Sequence, residues 1–391
     1  MKIAFYSNFL NHHQLPLCQA FLAKEGLEFT FVATEPIPQD RLEQGYADMN
    51  SMYNFVLRAY ENEQNQEKSK QLAKECDMMI FGSAPLSYLE TRIKENKTTF
   101  YFTERLLKKG TWRRFIPSTY KKIYHGYIQY KGKPLYILCS SAYTSYDLKL
   151  CGWDRSKCFE WGYFPEVKAS GLDKLFAKKK ETEMVEILYA GRLLKWKRVM
   201  DTVKAVHALV KNGTKNFRFT IIGNGEEKSA IEQYVDKYHL SNYVRLLPFM
   251  PADKVREYMD AADIYVFSSN HYEGWGAVVN EAMDSACAMV VSHAVGSAPY
   301  LIRHGKNGLI YPCGKIKVLA DTLQTLIIND EYRVMLGKEA YRTITEEWTA
   351  EIAAERLLKL YDDLSVDGGD SAVFSEGICS PAKPLKNNWI K

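Results

Sequence analysis

Residues Ile264 to Ser292, IYVFSSNHYEGWGAVVNEAMDSACAMVVS, constrain this chain more than any other stretch. The segment opens with an apolar, β-rich run, Ile264–Phe267, and closes with another, Met289–Val291. Between them lie a polar turn and an amphipathic segment, Gly276 to Ala286, whose period suits a helix. Glu273 falls on the turn, and Glu281, eight positions later, on the second turn of that helix. A helix entered through Glu273-Gly274-Trp275-Gly276 presents main-chain N–H groups that lack intrahelical acceptors, and its glycines let a ligand come close. Those N–H groups and the helix dipole favour a phosphate. The two carboxylates then suit neutral hydroxyls on either side of it. Two carboxylates on one helix face are common in proteins; the strand–turn–helix setting is what makes this pair fit a nucleotide-sugar.

A chain of 391 residues exceeds what one core usually supports, so two domains are expected. The 46% hydrophobic and 25% charged content is that of an ordinary globular protein. No apolar run approaches the length of a bilayer span, and the sequence begins directly with a strand, MKIAFYS. A cytoplasmic location is therefore expected. The eight cysteines are scattered without metal-ligand spacing, as buried thiols of a reducing compartment would be. No metal site is expected.

The first half alternates short apolar runs (Lys2–Tyr6, Glu28–Ala33, Met78–Phe81, Thr98–Phe102 and Leu135–Cys139) with helical or loop segments. That is the pattern of a parallel sheet covered on both faces. Ligands of such sheets gather at the carboxyl ends of the strands, so Asn11, His12, His13 and Gln14 after the first strand are candidate donors to sugar hydroxyls or phosphate. They equally suit a purely local role, positioning the following helix. From Arg105 to Lys133 there are nine Lys and Arg and no Asp or Glu, interleaved with Trp112, Phe115, Tyr120, Tyr124, Tyr127 and Tyr130. Amphipathic aromatics beside cations suit an anionic lipid interface. No nucleic-acid motif accompanies the run. The polar, lysine-rich segment after Pro165 reads as a linker, giving domains at 1–165 and 185–348, a linker at 166–184, and a terminal helix with its tail at 349–391. The tail beyond Val366 is rich in Gly, Ser and Pro, as either a free tail or one laid on the first domain would be.

The second domain opens with the buried run Val185–Tyr189, then Gly191-Arg192, then a helix from about Arg198. Arg192 and Lys197 thus lie near a strand's carboxyl end, where a guanidinium fork and a point-charge ammonium neutralise a diphosphate. Next, FRFTIIGNGEE reads as a strand, the turn Gly223-Asn224-Gly225, and a helix.

Taken together, these motifs resemble the retaining glycosyltransferases of family 4, which have the GT-B fold. Glu273, Gly274, Trp275, Gly276 and Glu281 match that family's signature of two glutamates separated by seven residues. Gly191-Arg192-Leu193 and Lys197 match its diphosphate-binding pattern, although Arg198 stands where the family has glycine. The resemblance is strong from Val185 to Leu364 and only architectural before that. It implies an α/β protein of two Rossmann-like doubly wound domains facing a central cleft. Further, it places Gly223-Asn224-Gly225 and the helix start at Gly276, Ala277, Val278 and Val279 against the donor nucleotide. The run Val244–Pro251 resembles the segment that contacts the base. Gly296-Ser297 and Tyr300 replace a glycine pair and a glutamate usual in the family. Many members also carry a histidine near the end of the strand that Thr98–Phe102 would form, and Glu104 and Arg105 occupy that neighbourhood here. His12, His13, Glu104 and Arg105 are accordingly the acceptor-side candidates.

The activity implied is transfer of a sugar from a nucleoside-diphosphate sugar to an acceptor hydroxyl, with retention. The acceptor implied is a glycan or lipid-linked glycan of cell-surface polysaccharide synthesis, met at the inner face of the membrane. Arg192 and Lys197 would stabilise the leaving diphosphate, Glu273 hold the donor sugar and Glu281 the ribose, with no metal and no cofactor. Two alternatives share the architecture: a nucleotide-sugar 2-epimerase, and a catalytically silent nucleotide-sugar-binding homologue.

Overall fold

The computed structural model describes residues 1–43, 47–365 and 373–390, and it divides the chain into two compact units. The first comprises Met1–Glu166 and Trp348–Lys386, and the second Val167–Glu347 and Asn387–Lys391.

The first unit is built on β1 (Lys2–Ser7), β2 (Glu28–Ala33), β3 (Val56–Arg58), β4 (Met78–Phe81), β5 (Thr99–Thr103), β6 (Leu135–Cys139) and β7 (Cys158–Glu160). They form a seven-stranded sheet in the order β3-β2-β1-β4-β5-β6-β7, with every pair parallel. The five apolar runs become strands within one residue of their expected bounds. The edge strands β3 and β7, each three residues long, escape a pattern search because so short a run carries no period. β1 and β4 are buried on both faces, which is why they read as unbroken apolar runs.

Two additions complete this unit. The helix Ala350–Ser365 packs against the helix Leu15–Leu22. Beyond it the tail lies along β7: Glu160 N–H donates to the Ser380 carbonyl at 2.8 Å, and Cys379 and Ala382 donate back to Glu160 and Cys158, each at 2.8 Å. The tail thus covers a strand edge whose main-chain groups would otherwise be left for water. Residues 366–372 of that tail lie outside the described residues.

The second unit is built on β8 (Val185–Ala190), β9 (Phe217–Ile222), β10 (Val244–Leu247), β11 (Ile264–Phe267), β12 (Ala288–Ser292) and β13 (Leu309–Tyr311). Their order is β10-β9-β8-β11-β12-β13, again all parallel. Residues 166–184 are more than the linker expected. They contain a helix, Leu172–Lys179, that packs on the helix Ala252–Ala261 of the same unit. Leu172, Leu175 and Phe176 are spaced i, i+3, i+4, but one eight-residue segment among lysines is short enough that the sequence reading passed over it. In both sheets the strand order reverses direction at one place, between β1 and β4 and between β8 and β11, and crevices open at such switch points.

One buried pair anchors the first unit. The Arg105 guanidinium meets Asp147 at 3.2 Å, lies 4.8 Å from the Tyr143 ring centre, and is fully shielded from solvent. Asp147 also accepts from Leu107 N–H at 2.8 Å. Burial raises the Asp147 carboxyl, and the Arg105 charge opposes that rise. Removing one partner of such a pair leaves a buried charge alone. Asp147→Ala is therefore expected to lower stability by about 3–5 kcal/mol, measured as a shift of the urea unfolding midpoint.

Candidate functional site

At the switch point of the second sheet, three loops are laced together by main-chain bonds. Leu193 N–H donates to the Asn224 carbonyl at 2.8 Å, Glu227 N–H to Leu193 at 2.9 Å, and Gly191 N–H to Ile222 at 3.0 Å. The third loop, following β11, joins through Asn270 N–H on the Trp196 carbonyl at 2.9 Å and Ser268 Oγ on the Lys197 carbonyl at 2.8 Å. The approach is so close that a Cβ on Gly223 would stand 2.0 Å from the Gly191 oxygen, and one on Gly225 2.5 Å from that of Leu193. Contact between loops therefore suffices to explain the Gly223-Asn224-Gly225 turn, whose role the resemblance assigns to a nucleotide. Asn224 caps the turn through its own Oδ1, which accepts from Gly225 N–H at 2.9 Å.

This lacing brings Lys197 and Glu273, distant in sequence, to 2.5 Å. The ammonium also lies 4.5 Å from the Trp196 ring centre and 5.0 Å from that of Phe267. Both side chains are largely buried, so the pair is held in a low-dielectric wall. Arg192 is exposed on the same β8 loop, its carbonyl accepting from the Tyr189 hydroxyl at 3.1 Å. Arg198, standing where the family pattern has glycine, takes a left-handed φ of 55°. That conformation is the reason glycine suits the position, and here the Arg198 side chain is held by Asp201 at 2.7 Å.

The helix after the turn runs from Val278 to Asp284, two residues shorter at its start than expected, so Glu281 falls in the first turn instead of the second. Trp275 is buried with its Nε1 donating to Asn280 Oδ1 at 2.9 Å, which ties the Gly274–Gly276 segment to the helix. Gly276 has φ 87°, and a Cβ there would strike the Phe267 ring. Burial raises the Glu281 carboxyl above its usual range; Arg256 and Lys168 oppose the rise and Asp284 adds to it. Arg256 donates to the Glu281 carbonyl at 2.8 Å and pairs with Asp284, fixing the helix from behind. Among the second unit's expected residues, Gly191, Lys197, Gly223, Asn224, Gly225 and Glu273 thus share one set of laced loops. The reading missed Ser268, Asn270 and Trp196, which hold that set together, because isolated polar and aromatic residues carry no pattern.

In the first unit the acceptor-side candidates separate. Arg105 differs from the expected exposed acceptor contact: it lies at the cavity but its guanidinium is buried and paired with Asp147 at 3.2 Å. The family position it was compared with lies at a strand end, but here the chain turns inward just after Glu104. Glu104 is half-buried, pairs with Lys108 and accepts from the Tyr163 hydroxyl at 3.1 Å. His12 and His13 lie 3.8 Å apart, ring centre to ring centre, and His13 N–H bonds Asn11 Oδ1 at 3.0 Å. Burial lowers both imidazoles, His13 to about 3 with His12 and Arg41 contributing, so His13 is neutral and suits hydroxyls better than phosphate. A cavity of about 950 Å³ opens at the ends of β1, β4, β5 and β6, lined among others by Ser7, Asn11, Ser83, Tyr101, Glu104 and Ser140.

Comparison with known proteins agrees with this architecture. Residues 173–343 match the family model described as glycosyl transferases group 1. The chain is 27% identical over 188 residues to the N-acetyl-alpha-D-glucosaminyl L-malate synthase of Bacillus anthracis, covering 48% of this chain and 47% of that one. It is 29% identical over 192 residues to the D-inositol 3-phosphate glycosyltransferase of Corynebacterium glutamicum, covering 46% and 45%. The matched region spans about half the length of these curated relatives. Among solved structures, HepE of Anabaena in complex with UDP superposes with a TM-score of 0.69 at 16% identity, covering 93% of this chain and all of that one. The fold is the two-unit α/β architecture known as GT-B.

The lacing of the loops makes a differential test possible. Gly213 and Gly223 both have positive φ, 81° and 149°, but only Gly223 lacks room for a methyl group. Gly213→Ala is expected to cost about 1 kcal/mol for its backbone alone. Gly223→Ala should exceed that by at least about 2 kcal/mol, both measured from denaturant midpoints.

Proposed function

We propose that the chain is a retaining glycosyltransferase that uses a nucleoside-diphosphate sugar, a reading supported by the match of residues 173–343 to the glycosyl transferases group 1 model. The observation that carries this reading is the convergence of Lys197, Glu273 and the Arg192 loop at the switch point of the second sheet. Departure of a diphosphate from an anomeric carbon builds negative charge on phosphate and positive charge on the sugar ring. Preorganised cations at the first and a carboxylate near the second stabilise both. In this reading Lys197 and Arg192 face the diphosphate, Glu273 holds donor-sugar hydroxyls, and Glu281 takes the ribose. Gly274, Trp275, Gly276, Ala277 and Val278 bring main-chain N–H groups to the phosphates. The anomeric C–O bond to phosphate breaks, the acceptor oxygen bonds to the same face, and the acceptor's proton passes to the departing phosphate oxygen. These side chains supply the charge that a metal ion would otherwise provide.

Lys197→Ala and Arg192→Ala are each expected to lower turnover by roughly 10²–10³-fold, the range for losing one preorganised donor. Incubation with radiolabelled nucleotide-sugars and membrane extract measures it. Turnover within twofold of the parent in both variants, or no turnover with any donor, overturns the reading.

The acceptor we place at an anionic membrane surface. The contact we propose is peripheral; no helix among the described residues is long and apolar enough to cross a membrane. The short helix Thr111–Phe115 and the helix Pro117–Gly126 expose Trp112 (59%), Phe115 (74%), Tyr120 and Tyr124. Arg113 and Arg114 lie over the Trp112 and Phe115 rings at 5.6 and 4.2 Å. Exposed aromatics under guanidinium groups match an interface of acyl chains and acidic headgroups. Arg105, counted in the cationic run by sequence, is inside the unit and takes no part. Co-sedimentation is expected with anionic but not neutral liposomes, lost at about 0.5 M salt as the screening length shortens, and weakened by charge reversal at Arg113 and Arg114. Equal recovery with neutral and anionic vesicles overturns this placement.

A further inference from the structure

The cavity of the first unit has two chemically different walls. One is neutral: Ser7 ends β1, Asn8 and Asn11 follow it, and Gly82 and Ser83 follow β4. Ser140, just after β6, adds a buried hydroxyl with no hydrogen-bond partner among the described residues. The opposite wall is one face of the helix Pro117–Gly126. Ser118, Lys121, Lys122 and His125 all line the cavity, and their spacing is i, i+3, i+4, i+7. The same helix buries Ile123 and exposes Tyr120 and Tyr124, so its three faces are distinct.

The charges on this wall are uncompensated. Of the cations lining the cavity, Arg105 is paired with Asp147 and Lys108 with Glu104. Lys121 and Lys122 enter no ion pair or hydrogen bond among the described residues. Lys121 and Lys122 are exposed at the cavity; adjacent ammonium groups repel each other, and a wall of one sign of charge concentrates anions beside it. An anion of two or more charges relieves that repulsion; a neutral sugar does not.

We propose that this cavity takes an acceptor bearing a phosphate or diphosphate ester, with the ester on Lys121 and Lys122 and the neighbouring sugar hydroxyls on the Ser7–Asn11 and Ser140 side. The proposal rests on the glycosyltransferase reading only for the word acceptor; the anion site itself stands on the first unit alone. Ser118 and His125 flank the lysines and add hydroxyl and imidazole donors to the ester oxygens. The exposed rings of Tyr120 and Tyr124, on the adjacent face, follow naturally if the ester continues into a lipid at a membrane.

The test uses the full chain carrying Arg192→Ala and Lys197→Ala, so that the proposed donor cations are silenced. Inorganic diphosphate is titrated by calorimetry, and an alkyl phosphate is offered in neutral phosphatidylcholine vesicles. One diphosphate site is expected to remain, weakened at least tenfold by Lys121→Ala with Lys122→Ala. The vesicle arm should fall with the same lysine changes and also with Trp112→Ala and Phe115→Ala, which leave the soluble arm within twofold. A vesicle arm that responds to Lys121 and Lys122 without any soluble binding would make the lysines a membrane contact and overturn the cavity site. Soluble binding unchanged by the lysine substitutions overturns it too. Nucleoside-diphosphate binding to the otherwise unaltered chain is measured alongside: its absence undermines the donor reading, while the lysine-dependent diphosphate site can still be present.

Discussion

Parallel strands cannot be joined by tight turns, and that constraint shapes both halves of this protein. Each strand must be carried back by a crossover, so every loop leaving a carboxyl end lies on the same edge of its sheet. Where the strand order reverses, adjacent crossovers part to opposite faces and leave a gap. In the first unit that gap is between β1 and β4, and the cavity lies there. In the second it is between β8 and β11, and Lys197 from one side meets Glu273 from the other. The chemistry of each site follows from which residues happen to leave those four strands.

Close main-chain approach decides how rigid the second site is. Gly191, Gly223 and Gly225 let the loops after β8 and β9 touch backbone to backbone, and the loop after β11 is then stitched on through Asn270 and Ser268. A lysine side chain has four rotatable bonds and ordinarily samples many positions. Lys197 is instead confined between two aromatic rings and a carboxylate. Confinement of this kind lowers the reorganisation needed when charge develops nearby.

The first unit uses charge differently. The deeply buried pair Arg105 with Asp147 is structural, whereas Lys121 and Lys122 stand at the cavity with no counter-charge among the described residues. Both come from the same cationic run of sequence. What separates them is burial: a guanidinium sealed from solvent must be neutralised by the protein, whereas an exposed ammonium need not be.

Much of this was legible in the residues. Apolar runs of three to six residues with turn signals between them locate β1, β2, β4, β5, β6, β8, β9, β11 and β12 within a residue or two, because buried parallel strands are apolar on both faces. The signature from Glu273 to Glu281 and the pair Arg192 and Lys197 were also visible, since their spacing is local. The short edge strands β3 and β7 were not, for three residues leave no period, and the helix Leu172–Lys179 is a single short segment set among lysines. Nor does sequence show that Arg105 turns inward while its neighbour Glu104 does not, that Gly223 is required by the Gly191 carbonyl, or that four residues of one helix line a cavity. Sequence by itself determined the alternation of elements and the types of residue at the strand ends, because those depend on nearest neighbours along the chain. Only the tertiary structure decided which of them meet, because strand order, and with it the position of each gap, is set by contacts between segments far apart in sequence.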